Sequence, residues 1–183
     1  MKSLINVEEY KGSLKKASYD DAKNESLITD EKQEVYILDD IAKEIAGKLE
    51  IDVPSSCDSI AIKNEDIYLI EFKNRDYKSV TSSDKRDIRK KAFQSRELLL
   101  STFLSEKTIQ YVAEHVQLLV VFKSMEGDSE SFGKIAETFN YYANGEKPVI
   151  KCKLANFEGN FYKKVRTINK VDFETKYMPR IFT

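Results

Sequence analysis

The sequence predicts an α/β fold in which helices flank a central mixed β-sheet. Three observations predict it: a helical stripe of apolar residues in the first third of the chain, two apolar segments that fit a β-hairpin, and a continuous apolar strand that follows a long amphipathic helix. With 183 residues the chain can form one domain around one core. We expect the main core at about residues 30–123 and a C-terminal elaboration at about residues 124–183.

The capping residues and the spacing of apolar residues in the N-terminal part of the chain predict helices. Residues 6–16 allow a short helix, and Thr29 or Asp30 can cap a longer one that ends near Lys48 or Leu49. Pro54 and the serines after it then interrupt the chain. The apolar residues of the longer helix fall on one stripe at the helical period: Val35, Leu38, Ile41, Ala42, Ile45, Ala46 and Leu49.

A β-hairpin is predicted next, with strands at residues 58–63 and 66–73 and a two-residue turn at Asn64 and Glu65. A polar loop at 74–83 leads to a basic amphipathic helix at about 84–104, and residues 116–122 form a buried strand. Further on, the pattern predicts a helix from Glu130 to Tyr142 and strands from Pro148 to Leu154 and from Phe161 to Ile168. The inner stripe of the basic helix contains Ile88, Ala92, Leu99 and Phe103.

Composition excludes several classes of protein. The six glycines form no phosphate-binding loop, which argues against kinases, NTPases and dehydrogenases, and the single His115 supports no catalytic triad. Cys57 and Cys152 have no metal-ligand spacing, and we expect both thiols to be buried and reduced. No apolar stretch is long enough to cross a bilayer, and the N-terminus lacks the pattern of a signal peptide, so the expected location is the cytoplasm.

Three charged residues are expected to converge at one end of the hairpin. If the turn lies at Asn64 and Glu65, Ile62 pairs with Ile67 and Ile60 with Leu69, so that Asp58 lies opposite Glu71. Lys73 points to the same side as Glu71 because strand side chains alternate with period two. Two facing carboxylates repel each other unless a cation lies between them.

A divalent ion would satisfy this arrangement, because Mg²⁺ is typically held by one or two carboxylates together with substrate phosphate. Such an ion stabilises charge on a phosphate and lowers the pKa of a water molecule, and Lys73 could orient that water. The residues therefore favour hydrolysis of a phosphodiester bond with Mg²⁺ or Mn²⁺.

Asp58, twelve residues, and then Glu71-Phe72-Lys73 on a strand resembles the core motif of the PD-(D/E)XK nuclease superfamily. The resemblance covers about half of the chain and implies a single nuclease-like domain with a restriction-endonuclease-like core. It also implies that Asp58 and Glu71 are metal ligands, that the Phe72 carbonyl is a further ligand, and that Lys73 is the catalytic lysine. The proline of the family motif is absent, since Cys57 precedes Asp58. Other (D/E)-x-K triplets begin at Asp21, Asp30 and Glu174, but none follows an apolar strand.

Many members of the superfamily add a glutamate from the first helix to the site. Glu34 lies one turn before Leu38 on the inward side of the predicted helix, so we choose it as the further metal ligand. Glu31 and Glu44 are the alternatives.

The expected partner is nucleic acid, with DNA favoured over RNA, and a homodimer would suit cleavage of both strands of a duplex. Acidic side chains outnumber basic ones in residues 1–50, whereas basic ones predominate in residues 147–183. The predicted basic helix offers the contacts to phosphate, from Lys85, Arg89, Lys90, Lys91 and Gln94. The resemblance implies that this helix flanks the site, where Gln94 and Lys91 are the candidates for contact with substrate or with metal-bound water. Tyr141, Tyr142, Phe157, Phe161 and Tyr162 could stack on bases or pack in the core.

Two other functions remain compatible with the sequence. One is a non-catalytic protein on the same fold that binds nucleic acid, and the other is a protein-interaction module whose charge cluster is structural. The first predicts that binding of nucleic acid survives the loss of Glu71, and the second predicts that the removal of Lys73 lowers the stability of the protein.

Overall fold

A six-stranded mixed sheet forms the centre of the protein in the computed structural model, which describes residues 5–125 and 150–183. The strands lie in the order β1 (Lys11–Ser13), β4 (Glu34–Ile37), β5 (Ser59–Lys63), β6 (Asp66–Asp76), β7 (Val116–Ser124) and β8 (Lys164–Asn169). The pairs β1–β4, β4–β5 and β5–β6 are antiparallel, whereas the pairs β6–β7 and β7–β8 are parallel. A separate pair contains β2 (Tyr19–Asp20) and β3 (Glu25–Ser26). The predicted α/β class with a mixed sheet is therefore confirmed.

Helices lie between and after the strands. They are α1 (Leu14–Ala17), α2 (Leu38–Leu49), α3 (Ser82–Thr102) and α4 (Ile109–His115). After β8, α5 (Lys170–Asp172) continues through a π-helical turn (Phe173–Tyr177) into α6 (Met178–Phe182). Short 3₁₀ turns cover Val7–Tyr10, Tyr77–Ser79 and Ala155–Phe157.

The sheet is covered on both faces by apolar side chains. Leu118 and Val120 of β7 contribute to the core shared with α2, α3 and α4, whereas Leu119 and Val121 face the core shared with α1 and the C-terminal helices. All four are fully buried. This explains why β7 is a continuous apolar run, because a strand buried on both faces has no polar side to alternate with.

The predicted hairpin is confirmed in its register. Ile62 pairs with Ile67 and Ile60 with Leu69, so the turn lies at Asn64 and Glu65 as expected. Asn64 adopts a left-handed conformation with φ of 53°, which asparagine tolerates better than most residues. The second strand is longer than predicted, since β6 extends to Asp76 through an irregularity after Lys73.

The long N-terminal helix prediction is wrong at its beginning. Glu34 to Ile37 form strand β4, and α2 begins only at Leu38. Val35 and Ile37 are buried on one side of the sheet, which is the period of a strand. Val35 also lies three residues before Leu38, so the same sequence fits a helical stripe, and periodicity over so few residues does not separate the two.

Other boundaries also differ from the sequence prediction. Residues 6–16 form a 3₁₀ turn, β1 and part of α1 instead of one helix, because β1 pairs with β4. The strand predicted from Phe161 begins at Lys164, and residues 150–154 contain no strand. Residues 148–149 and the predicted helix from Glu130 to Tyr142 lie outside the described residues. The sequence analysis did not predict α4 or the C-terminal helices.

Candidate functional site

Asp58, Glu71 and Lys73 lie together where β5 begins. Asp58 directly precedes β5, and the pairing of Ser59 with Ile70 brings it beside Glu71 in the middle of β6. Lys73 is two residues further along β6 and so emerges on the same face as Glu71. The structure therefore brings together the three residues that the hairpin register predicted to converge, while their chemical roles stay a prediction.

Asp58 is held at three points. Its main-chain oxygen accepts a hydrogen bond from the Leu38 amide at 3.1 Å, which ties it to the start of α2. One carboxylate oxygen, Oδ2, accepts a hydrogen bond from the Phe72 amide at 2.5 Å, and Oδ1 lies 3.1 Å from Lys91 Nζ. These contacts orient the carboxylate towards the interior of the site, and the side chain is 16% exposed.

Glu71 is the most deeply buried charged residue of the site, with 1% of its side chain exposed. Its Oε2 accepts a hydrogen bond from Lys91 Nζ at 3.0 Å. Its Oε1 lies 2.8 Å from Lys73 Nζ, an ion pair without the direction of a good hydrogen bond. A buried carboxylate is strongly destabilising without a charged partner, so the two ammonium groups allow Glu71 to remain there.

Lys91 lies in the middle of α3 and bridges the two carboxylates. The sequence analysis predicted that Lys91 contacts nucleic acid, substrate or metal-bound water, whereas in the structure its ammonium group contacts the carboxylates of Asp58 and Glu71 directly. The spacing of charges along α3 could not show this, because it depends on how the helix packs across β5 and β6.

Burial and neighbouring charges shift the ionisation of the site. Burial, together with the charge of Glu71, raises the pKa of Asp58 from its ordinary value of 3.8 to about 7. Burial is the largest single influence and would lower the pKa of Lys91 and of Lys73, but the neighbouring carboxylates, Glu71 first and Asp58 after it, together outweigh burial and raise both pKa values. Both lysines therefore stay charged at neutral pH. Burial also raises the pKa of the Cys57 thiol. The backbone amide of Cys57 donates a hydrogen bond to Ser95 Oγ at 2.7 Å.

Glu34 is not where the sequence analysis placed it. It is an exposed residue of β4 that pairs with Ser13, whereas the site lies at the opposite end of β4, beyond Ile37.

The acidic residue that α2 brings towards the site is Asp39, in its first turn, and its charge contributes to raising the pKa of Asp58. Ser56 donates a hydrogen bond to the Asp39 carboxylate. The sequence analysis did not predict that Asp39 lies near the site, because it did not predict strand β4. A helix that starts near residue 30 would place Asp39 far from the N-terminus of that helix. Glu31 and Glu44, the other two candidates, form ion pairs with Lys15 and Lys48.

The donor set for a metal ion consists of two carboxylates that point at a common cation. Within residues 5–125 and 150–183, no three Asp, Glu, His or Cys side chains are grouped closely enough to hold a metal by themselves. Two carboxylates are nevertheless sufficient for an ion of the Mg²⁺ type that takes its other ligands from water and phosphate. Asp58 Oδ1 and Glu71 Oε2 both contact the Lys91 ammonium group, so one oxygen of each carboxylate can contact the same cation.

Two clefts meet at Asp58. The larger, of about 550 Å³, lies between α1, β2 and the start of α2, and the smaller, of about 290 Å³, extends along β6 past Lys73 and Arg75. They give solvent and small ligands access to the site. Acidic side chains predominate slightly in the larger cleft, with Asp21, Asp39, Asp40 and Asp58 against Lys15, Lys16 and Lys43.

The other residues predicted to bind nucleic acid are arranged along α3. Lys90 is exposed and Lys85 is half-buried with its ammonium over the Tyr77 ring at 5.3 Å. Arg89 donates a hydrogen bond to the Cys152 carbonyl at 3.0 Å, and Gln94 accepts one from the Ser55 amide at 2.8 Å. Arg89 and Gln94 thus have structural partners, whereas Lys90 is directed to solvent.

The aromatic residues proposed for stacking divide into two groups. Tyr162 is fully buried and donates a hydrogen bond to the Ala92 carbonyl, so it belongs to the core. Phe157 and Phe161 are half-buried and pack against each other, and Phe161 also packs against the exposed Phe93. The Arg96 guanidinium lies 4.4 Å from the Phe161 ring centre. Tyr141 and Tyr142 lie outside the described residues.

Comparisons of the chain with models of protein families, with curated proteins and with solved structures find no match. Across the two described ranges, every helix is too short or too polar to cross a bilayer.

Proposed function

We propose that this protein is a metal-dependent nuclease of the PD-(D/E)XK kind, which hydrolyses phosphodiester bonds in nucleic acid, with DNA favoured over RNA. The observation that carries the proposal is the convergence of the Asp58 and Glu71 carboxylates on one cation position, beside Lys73 and at the junction of two clefts. Two facing buried carboxylates destabilise a sheet unless a cation compensates their negative charges.

In this proposal Asp58 and Glu71 would hold Mg²⁺ or Mn²⁺, with the Phe72 carbonyl as a further ligand. The ion would supply positive charge to the scissile phosphate. Lys73, held by Glu71 and 21% exposed, would orient the attacking water and neutralise charge on the phosphate oxygens. The bond from phosphorus to the leaving oxygen would break as the bond to the water oxygen forms, and the proton that the water loses would pass through solvent to the leaving oxygen. Lys90, exposed on α3, would contact the nucleic-acid backbone outside the site.

The order of elements is compatible with a restriction-endonuclease-like core. It would contain α2, the β5–β6 hairpin, α3 and the parallel strand β7. The resemblance implies a helix, a mixed four-stranded sheet and a second helix, and these elements supply two helices and three strands of such a sheet. One neighbouring strand, β4 or β8, would be the fourth, and the remaining strands would be additions at the edges of the sheet.

The test is cleavage of supercoiled plasmid, single-stranded DNA and structured RNA, each with Mg²⁺, Mn²⁺ or EDTA. We expect metal-dependent cleavage by the wild type and a loss of at least about a hundredfold in Glu71→Gln, which removes a metal ligand while keeping the side-chain shape. Glu34→Gln is the matched control and should cleave like the wild type, since Glu34 lies at the far end of β4. Cleavage that persists in EDTA or in Glu71→Gln would refute the proposal.

The bridging lysine favours a second candidate, a non-catalytic module on the same fold that binds nucleic acid or another protein. Lys91 and Lys73 together already neutralise Asp58 and Glu71, so the cluster is self-sufficient as a structural element. This candidate predicts that Mn²⁺ does not bind in calorimetric titration, and that any affinity for nucleic acid survives Glu71→Gln.

A further inference from the structure

We infer that Lys91 is a built-in competitor for the divalent ion: its ammonium group occupies the cation position that Asp58 and Glu71 share, and the ion must displace it. The inference rests on the proposed function, because it assumes that a divalent ion uses this pair. It assigns to Lys91 a regulatory role at the site instead of the contact with nucleic acid that its place on a basic helix indicates.

The geometry leaves one cation position between the carboxylates. Lys91 Nζ lies 3.1 Å from Asp58 Oδ1 and 3.0 Å from Glu71 Oε2, so one ammonium group contacts one oxygen of each acid. The remaining oxygens have other partners, since Asp58 Oδ2 accepts from the Phe72 amide and Glu71 Oε1 contacts Lys73. A divalent ion bound between the carboxylates would therefore need the same two oxygens. A divalent ion and an ammonium group that both contacted these two oxygens would lie close together and repel each other strongly.

Lys91 is also able to leave the position. Its side chain is 23% exposed, and the flexible four-carbon stem of lysine permits the ammonium to move without movement of α3. The negative charge of Asp39 also acts on the Lys91 ammonium group and favours its charged form. Lys73 would remain on Glu71 Oε1 during the exchange, so the buried glutamate would keep one ammonium partner throughout.

The experiment is a calorimetric titration of the full chain with Mn²⁺, comparing the wild type with Lys91→Met and with Lys90→Met. Methionine keeps the length of the lysine stem and removes the charge. Lys90→Met is the matched control, because it removes the same charge from the neighbouring, exposed position of α3. We expect Lys91→Met to bind Mn²⁺ on the order of tenfold more tightly than the wild type, because the fraction of molecules with an open site rises. The control should bind like the wild type.

A second measurement keeps the inference testable if Lys91→Met folds poorly. In the wild type, ¹³C NMR of the lysine ε-carbons reports on each ammonium group, and the resonance of Lys91 is identified by its loss in Lys91→Arg. We expect added Mg²⁺ to shift this resonance as the ammonium leaves the carboxylates. Thermal unfolding gives a further readout, since Mn²⁺ should raise the melting temperature of Lys91→Met more than that of the wild type.

The outcomes separate this inference from the nuclease proposal. Unchanged Mn²⁺ affinity in Lys91→Met, or a Lys91 resonance that does not move with Mg²⁺, would overturn the inference even if the wild type cleaves nucleic acid. Tighter Mn²⁺ binding that disappears in Lys91→Met combined with Asp58→Asn would support it, even if no nucleic acid is cleaved. Absence of Mn²⁺ binding in every variant overturns it, because no ion is then present to compete.

Discussion

At the scale of single residues, Glu71 has the least solvent contact of the charged groups in the site. Its carboxylate is 1% exposed and is compensated by ammonium groups from two different elements, β6 and α3. Removal of one partner from such a buried pair typically costs about 3–5 kcal/mol, because the other charge stays behind without compensation. The cluster therefore links the local stability of β6 to the position of α3.

Asp58 makes the stability of the protein dependent on pH. Its pKa is raised from 3.8 to about 7, so between these values the folded protein binds more protons at Asp58 than the unfolded chain does. The contribution of Asp58 to the free energy of unfolding therefore falls as the pH rises from about 4 to 7. Asp58→Asn removes this titration.

We expect the free energy of unfolding of Asp58→Asn, relative to the wild type, to increase by up to about 4 kcal/mol between pH 4 and 8. Urea unfolding at several pH values measures the difference. Glu65→Gln, which removes an exposed carboxylate from the hairpin turn, is the control for general effects of charge. A relative stability that stays constant or decreases with pH would contradict a raised pKa at Asp58.

At the scale of elements, α3 positions Lys91 and depends on a capping box at its beginning. Thr81 Oγ1 accepts a hydrogen bond from the Asp84 amide at 3.2 Å, and the Asp84 carboxylate accepts one from the Thr81 amide at 2.9 Å. These two bonds satisfy amide groups that the first turn of a helix leaves without partners. The Thr81 amide bond also lowers the pKa of Asp84, with Arg75 contributing.

Thr81→Ala should lower the free energy of unfolding by about 1 kcal/mol, the usual contribution of an N-cap side chain. Ser82→Ala is a suitable control, because it changes the next residue and leaves both capping bonds in place. Chemical denaturation of the two variants tests this directly. Equal stabilities for Thr81→Ala and Ser82→Ala would show that the capping box contributes nothing measurable.

At the scale of the whole molecule, the site is supported from both faces of the sheet. The carboxylate cluster lies on the side covered by α3, while Phe72, between Glu71 and Lys73, directs its ring to the opposite face. There it meets Phe173 edge-on, with ring centres 5.6 Å apart. The C-terminal helical segment thus packs directly behind the strand that carries the site, although it is about a hundred residues away in the chain.

Phe173→Ala should destabilise the protein by about 3–5 kcal/mol, because Phe173 is fully buried and its loss leaves a cavity behind β6. Val171→Ala, in the same segment but 64% exposed, should change stability by less than about 0.5 kcal/mol. Thermal or urea unfolding compares the two. Similar small effects for both variants would mean that the C-terminal segment does not support the sheet.

Features that depend on neighbouring residues in the chain were predictable from the sequence. The hairpin at residues 59–76 was predictable because its two-residue turn and alternating isoleucines specify one register. Helix α3 and strand β7 were predictable from a basic amphipathic stretch and a continuous apolar run. With the register known, the proximity of Asp58 to Glu71 followed from strand geometry alone.

The residues from distant elements that complete the site could not be predicted before the strands and helices were placed together. Glu34 to Ile37 became a strand because β1 and β5 pair with it on either side, and this choice moved Glu34 away and brought Asp39 near Asp58. Lys91 reaches the carboxylates because α3 packs across the hairpin. The physical reason is that both outcomes depend on hydrogen bonds and packing between segments far apart in the chain, whereas the periodicity of a sequence reports only the environment of each segment by itself.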